Sequence, residues 1–181
     1  IGIGYIGQVH SGLGLLQAVV LGVLAALAVF TCLFFHELAH ALVARGYGVD
    51  TSAITFFLLG GVARLKREPA KWRDELAISL AGPGVSFGCA ALFAVGWLLM
   101  PPGSVLATFT FYLAFANVLL GAVNLLPGFP LDGGRVARSL LWGAIGDRPT
   151  ATRVATLAGR AIGLGCAGLG VAKVLLNGDL S

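Results

Sequence analysis

Charge is scarce in this chain: 11% of its 181 residues are Asp, Glu, Lys or Arg, against 57% hydrophobic, whereas soluble domains carry about 25% charged residues. So few ionised groups could not cover a fold of this size, which excludes a water-soluble globule. Lys and Arg are missing from the first 44 residues, so the apolar stretch that starts at Leu13 has no basic leader. Its run to Phe35 also exceeds the roughly 7–15 apolar residues of a secretory signal, so this stretch is expected to stay in the mature protein. Cysteine is limited to Cys32, Cys89 and Cys166, an odd number, all within apolar stretches; this excludes a disulfide framework and leaves small packing residues. Glutamate does not recur after Glu75. The net charge of +4 comes from basic residues beside apolar stretches, not interleaved with aromatics, which excludes a nucleic-acid surface as partner.

What is present is hydrophobic length. Mean hydropathy is +0.92, and four stretches approach or exceed the ~20 apolar residues that cross a bilayer: Leu13–Phe35, Leu76–Met100, Val105–Leu126 and Val154–Leu176. The expected fold is an all-α polytopic membrane protein with at least four transmembrane helices, and the lipid bilayer is its solvent. Residues 1–181 read as a single membrane core. The start at Ile1 rather than Met and the loop-like end at Asn177–Ser181 suggest the core of a longer protein, truncated at both ends.

Arg45, Arg64, Lys66, Arg67, Lys71 and Arg73 lie between the first and second stretches, and Arg135, Arg138, Arg148 and Arg153 lie between the third and fourth. Two crossings separate these groups, so they share a side. The opposite connections, Ile1–Gly12 and Pro101–Ser104, hold no Lys or Arg, and the positive-inside rule therefore places the basic loops in the cytoplasm. The C-terminal end of the first span and the segment after the third span then meet on that side.

His36-Glu37-Leu38-Ala39-His40 is an H-E-x-x-H sequence on a breaker-free stretch from Leu15 to Arg45. At 3.6 residues per turn, His36 and His40 share a helix face and can offer imidazole nitrogens to one zinc ion, while Glu37 stands where it can activate water. Ionisable groups cost at least about 2.5–3.5 kcal/mol near a bilayer centre, so three within five residues call for a compensating cation. Catalytic zinc usually takes three protein ligands. Cytoplasmic-side candidates for the third are Asp50, Glu68, Asp74, Glu75, Asp132 and Asp147; all but Asp132 sit among basic loop residues, where a solvated surface role is expected. Asp132 lies in Asn124–Gly134, an otherwise uncharged segment whose Pro127 and Pro130 must interrupt a helix. Read from the residues alone, it fits a helix cap or turn as well as a third ligand.

His36–His40, Ala81-Gly82-Pro83 and the Asn124–Gly134 segment with its Leu131-Asp132-Gly133 core together resemble the site-2 protease family of intramembrane metalloproteases, over about Leu13–Leu141. The resemblance implies that His36, His40 and Asp132 hold one Zn2+ and that Glu37 is the catalytic base. It implies a multi-pass protein of the bacterial cell membrane that hydrolyses a peptide bond within the transmembrane helix of a membrane-protein substrate, such as a membrane-tethered signalling or anti-sigma protein. It further implies that Asn124 orients substrate; the bland alternative for Asn124, and the expectation for Asn117, is an interhelical hydrogen bond.

Ile54–Leu65 is too short to span and carries Gly60-Gly61 between two β-prone halves. It reads as a β-hairpin or re-entrant loop, whose edge at Phe57 and Leu58 could bind a substrate strand, or as a surface anchor. Gly82, Gly84 and Gly88 are expected to allow close helix approach, and the Ser86 hydroxyl to bond its own helix. Two other functions compete. A membrane metal transporter would need ionisable groups leading across the bilayer, yet the second and third spans have no charged residue. A non-catalytic protein that binds transmembrane helices would not need Glu37. A zincin with Glu as third ligand lacks a Glu after residue 75.

Overall fold

The computed structural model describes residues 14–49, 51–57, 60–65 and 68–177, with side chains for 14–49 and 68–176. Its elements are α1 (Leu15–Gly46), β1 (Thr51–Phe57), β2 (Gly60–Leu65), α2 (Trp72–Leu99), α3 (Val105–Asn124), α4 (Asp132–Ile145) and α5 (Arg148–Asn177). Helices α1, α2, α3 and α5 are long and apolar enough to cross a membrane, matching the four stretches read from sequence; α4 is an additional helix between the third and fourth.

Helix α1 has 32 residues and so runs about 48 Å, longer than the ~30 Å hydrocarbon layer. It ends where Gly48 takes φ +72° and the Val49 N–H turns back to donate to the Ala44 carbonyl at 2.9 Å, a glycine-dependent helix stop. Its buried stripe is built of small residues, Ala18, Gly22, Ala25 and Cys32, and then becomes His36, Glu37 and His40. Large apolar side chains such as Leu24, Leu27 and Phe30 face outward. That inversion of a soluble protein is what close helix packing within lipid requires.

Helix α2 is central: it packs against α1, α3 and α4, while α4 also packs on α5. Pro83 lies inside it and supplies no N–H to the carbonyl of Ser79. The Ser104 hydroxyl caps α3 by accepting from the Ala107 N–H at 3.1 Å. Helix α3 stops at Asn124, ahead of the expected Leu126, and the proline segment carries the chain into α4, whose first residue is Asp132. Here glycine is demanded by space: a Cβ on Gly133 would lie 2.2 Å from the Leu125 carbonyl oxygen, and one on Gly134 2.8 Å from the Gly128 carbonyl carbon.

The run expected as a hairpin or re-entrant loop, Ile54–Leu65, overlaps β1, which begins earlier at Thr51, and includes β2; the two strands pair antiparallel with Phe57 opposite Gly60 and Thr55 opposite Val62. Leu58 and the side chain of Phe57 lie outside the described residues.

Candidate metal centre

His36 and His40, one turn apart on α1, set their rings edge to face with centroids 5.0 Å apart. Their Nε2 atoms are 3.3 Å from each other, and each lies 3.1 Å from Oδ2 of Asp132. These three residues are the group whose ligand atoms converge as a metal site would require. Both histidines are buried, and the Asp132 side chain is only 15% exposed.

The outward-facing ring nitrogens fix what points inward. Nδ1 of His40 lies 2.6 Å from the Ile78 carbonyl oxygen, which can only accept, so Nδ1 carries the hydrogen and Nε2 presents a lone pair. Nδ1 of His36 lies 2.8 Å from the Ser86 hydroxyl, which can accept a hydrogen in the same manner. In the neutral imidazoles two lone pairs and a carboxylate oxygen thus face one point, where a positive charge relieves their repulsion, either a metal ion or hydrogens on Nε2 shared with Asp132.

The spacing fits a metal ion. A tetrahedral zinc bound at about 2.0–2.1 Å holds its ligand atoms roughly 3.3 Å apart, close to the observed 3.1–3.3 Å. Room is left by Gly82, where a Cβ would stand 2.2 Å from Nε2 of His40 and 2.6 Å from Nε2 of His36. Any side chain there would occupy the position of the ion. Burial pushes the Asp132 carboxyl up, but hydrogen bonds from His36 and His40, with their charge, outweigh it and hold it at about 2. Asp132 therefore stays a carboxylate.

Glu37 is buried in the same turn, 7% exposed, with its carboxylate in electrostatic reach of His40. The structure thus brings together His36, Glu37, His40 and Asp132. Asn124 is elsewhere engaged: its amide donates to the Leu120 carbonyl of its own helix at 2.9 Å. Asn117 likewise bonds Leu113 of its own helix, not a neighbouring one.

Besides the interhelical bond expected of Asn117, two further sequence expectations are corrected. Ser86 does not spend its hydroxyl on its own helix but meets His36, because α2 lies against α1 at that level. Glu75 is not a solvated surface residue: it is fully buried and bonded by Arg138, because α4 folds back over the start of α2. The Ile78 carbonyl had no sequence signal, whereas Pro83 marked the turn of α2 where it lies.

Fold and site together define a membrane-embedded helical protein built around a three-ligand metal centre. The model of Peptidase family M50 matches residues 24–108 and 102–166, and the chain belongs to this family, the site-2 protease family. It is 38% identical over 161 residues to Rip3 of Mycobacterium tuberculosis, named as a zinc metalloprotease, an alignment covering 87% of this chain and 41% of that protein. It is 32% identical over 155 residues to the zinc metalloprotease MJ0392 of Methanocaldococcus jannaschii, covering 84% and 44%. The chain thus spans about two fifths of these relatives. Among solved structures, the site-2 protease from Methanocaldococcus jannaschii matches with a TM-score of 0.62 and 29% identity, over 98% of this chain and 77% of that one.

Proposed function

We propose that this chain is the catalytic core of a zinc-dependent endopeptidase that cleaves a peptide bond within the transmembrane helix of a membrane-protein substrate. The observation that carries this reading is the convergence of the His36, His40 and Asp132 ligand atoms within 3.3 Å, beside Glu37 on a helix long enough to span. Zinc held there would polarise a peptide carbonyl and lower the pKa of water to about 7. Glu37 takes the proton of the attacking water and returns it to the departing amine, so no covalent enzyme intermediate is needed. Ile78 and Ser86 keep both imidazole lone pairs turned inward throughout.

The scissile bond begins in a helix and must be unwound before attack. An extended segment could add to the sheet: with β1 and β2 as its two strands, each strand has an outer edge without a described partner strand, and main-chain hydrogen bonds at such an edge accept any sequence. The β1 edge that ends at Phe57 is the one we assign to substrate. The active site faces the cytoplasm in this reading, by the distribution of Lys and Arg.

The test is to purify the chain in detergent, measure bound zinc, and assay cleavage of transmembrane peptides. Glu37→Gln is expected to keep the metal and lose turnover by at least about 100-fold; Asp132→Ala is expected to lose metal affinity as well. Undiminished cleavage by Glu37→Gln would refute the mechanism.

A further inference from the structure

Asp132 is the ligand with the weakest local support. His36 and His40 ride on one rigid helix and are each braced from behind, but Asp132 is the first residue of α4, and among the described residues its carboxylate has hydrogen bonds only with the two imidazoles. Its position is therefore that of α4 itself. One end of α4 is fixed by the contact of Gly133 and Gly134 with the preceding backbone. About 9 Å further along the helix, Arg138 donates through Nε to Oε1 of Glu75 at 2.9 Å and through Nη2 to the same oxygen.

Glu75 is fully buried in the first turn of α2. As a device for stability the pair is poorly made: among the described residues Oε2 of Glu75 has no hydrogen-bond partner, with Arg148 Nη2 3.8 Å away, and removing charges from water is costly unless every group is satisfied. Its placement is informative. Glu75, Ile78, Gly82 and Ser86 fall within roughly 80° of arc on α2. Along this one face Ser86 meets His36, the Ile78 carbonyl meets His40, Gly82 leaves space for the ion, and Glu75 grips the helix that carries Asp132.

We propose that the Glu75–Arg138 pair positions the third metal ligand, clamping α4 to the helix face that orients the two histidines. The inference rests on the reading that His36, His40 and Asp132 bind zinc. Arg138 acts through Asp132 and is a positioning residue, not a catalytic one.

The experiment uses the full chain in detergent. Zinc affinity is measured by chelator competition, the cobalt-substituted site by its visible d–d absorption, and stability by unfolding in excess chelator. Three variants are compared with wild type: Arg138→Gln; Arg138→Lys, which keeps the charge but not the two-pronged geometry; and Glu75→Leu with Arg138→Met, which replaces the pair by apolar side chains, an exchange that often leaves stability intact. Each is expected to lower zinc affinity about 10–100-fold and to alter the cobalt spectrum, the double variant doing so with metal-free stability near that of wild type. Wild-type affinity and spectrum in any variant that folds would overturn the clamp alone. A wild-type chain that takes up no zinc would overturn the metal-site reading and the clamp with it.

Discussion

At the scale of single residues the centre is governed by what occupies a few ångströms. Gly82 is the sharpest case, since its missing Cβ would lie 2.2 Å from Nε2 of His40. Gly82→Ala is expected to cut zinc affinity beyond the roughly 10–100-fold typical of losing a ligand's support, as read by chelator competition; uptake at wild-type affinity would show that the ion sits elsewhere. Asp132 sets an acid limit. Its folded value of about 2 lies below the ~3.9 of an unfolded aspartate, so its stabilisation is complete above pH 4–5 and lost as pH falls through 2. For the metal-free chain this is worth on the order of 2 kcal/mol. Asp132→Asn should show correspondingly less acid destabilisation in denaturant unfolding between pH 5 and 2, and an identical pH profile would refute the assignment. The H-E-x-x-H pair was legible because helical periodicity sets both imidazoles on one face, whereas Asp132, isolated in an uncharged segment, fitted a cap or turn equally well and was assigned to the metal only by the family resemblance. Ser86 and Glu75 were misread because their partners lie 50 and 63 positions away, and nothing in a lone helix tells which neighbour its face will meet.

At the scale of elements, the positions of the helices followed from apolar length and breakers. Leu15–Gly46 matches the apolar stretch expected to be helical from Leu15 to Arg45, and the end of α3 precedes Pro127 by three residues. Helix α4 was less visible: 14 residues with arginines at 135 and 138 read as a loop beside the membrane, because its apolar face is too short to register as a span. The sheet makes a separate prediction. Phe57→Pro removes a main-chain donor from β1 and, if substrate adds there as an extended strand, should lower cleavage about tenfold or more while bound zinc stays constant. Unchanged cleavage would remove β1 from the substrate path.

At the scale of the whole molecule, four spanning helices place the Pro101–Ser104 turn and the α4–α5 connection on opposite sides of the bilayer. If the basic loops face the cytoplasm, as proposed, a cysteine introduced at Ser104 in a background lacking Cys32, Cys89 and Cys166 should react with an impermeant maleimide added outside intact cells. A cysteine at Asp147 should react only after lysis. The reverse pattern would invert the orientation of the active site. The number of candidate spans was readable from sequence because apolar length is a one-dimensional quantity; the packing order of the spans is not.

Mounting Glu75, Ile78, Gly82 and Ser86 on a single stripe of α2 gives the metal centre a phase. One residue inserted between positions 79 and 85 would rotate the distal part of the stripe by roughly 100°, turning Ser86 away from His36 while Ile78 still faces His40. The same insertion in the Pro101–Ser104 turn would leave every anchor in register. Length variation in this chain should therefore be absorbed between α2 and α3, with the first half of α2 acting as a ruler whose divisions cannot be respaced.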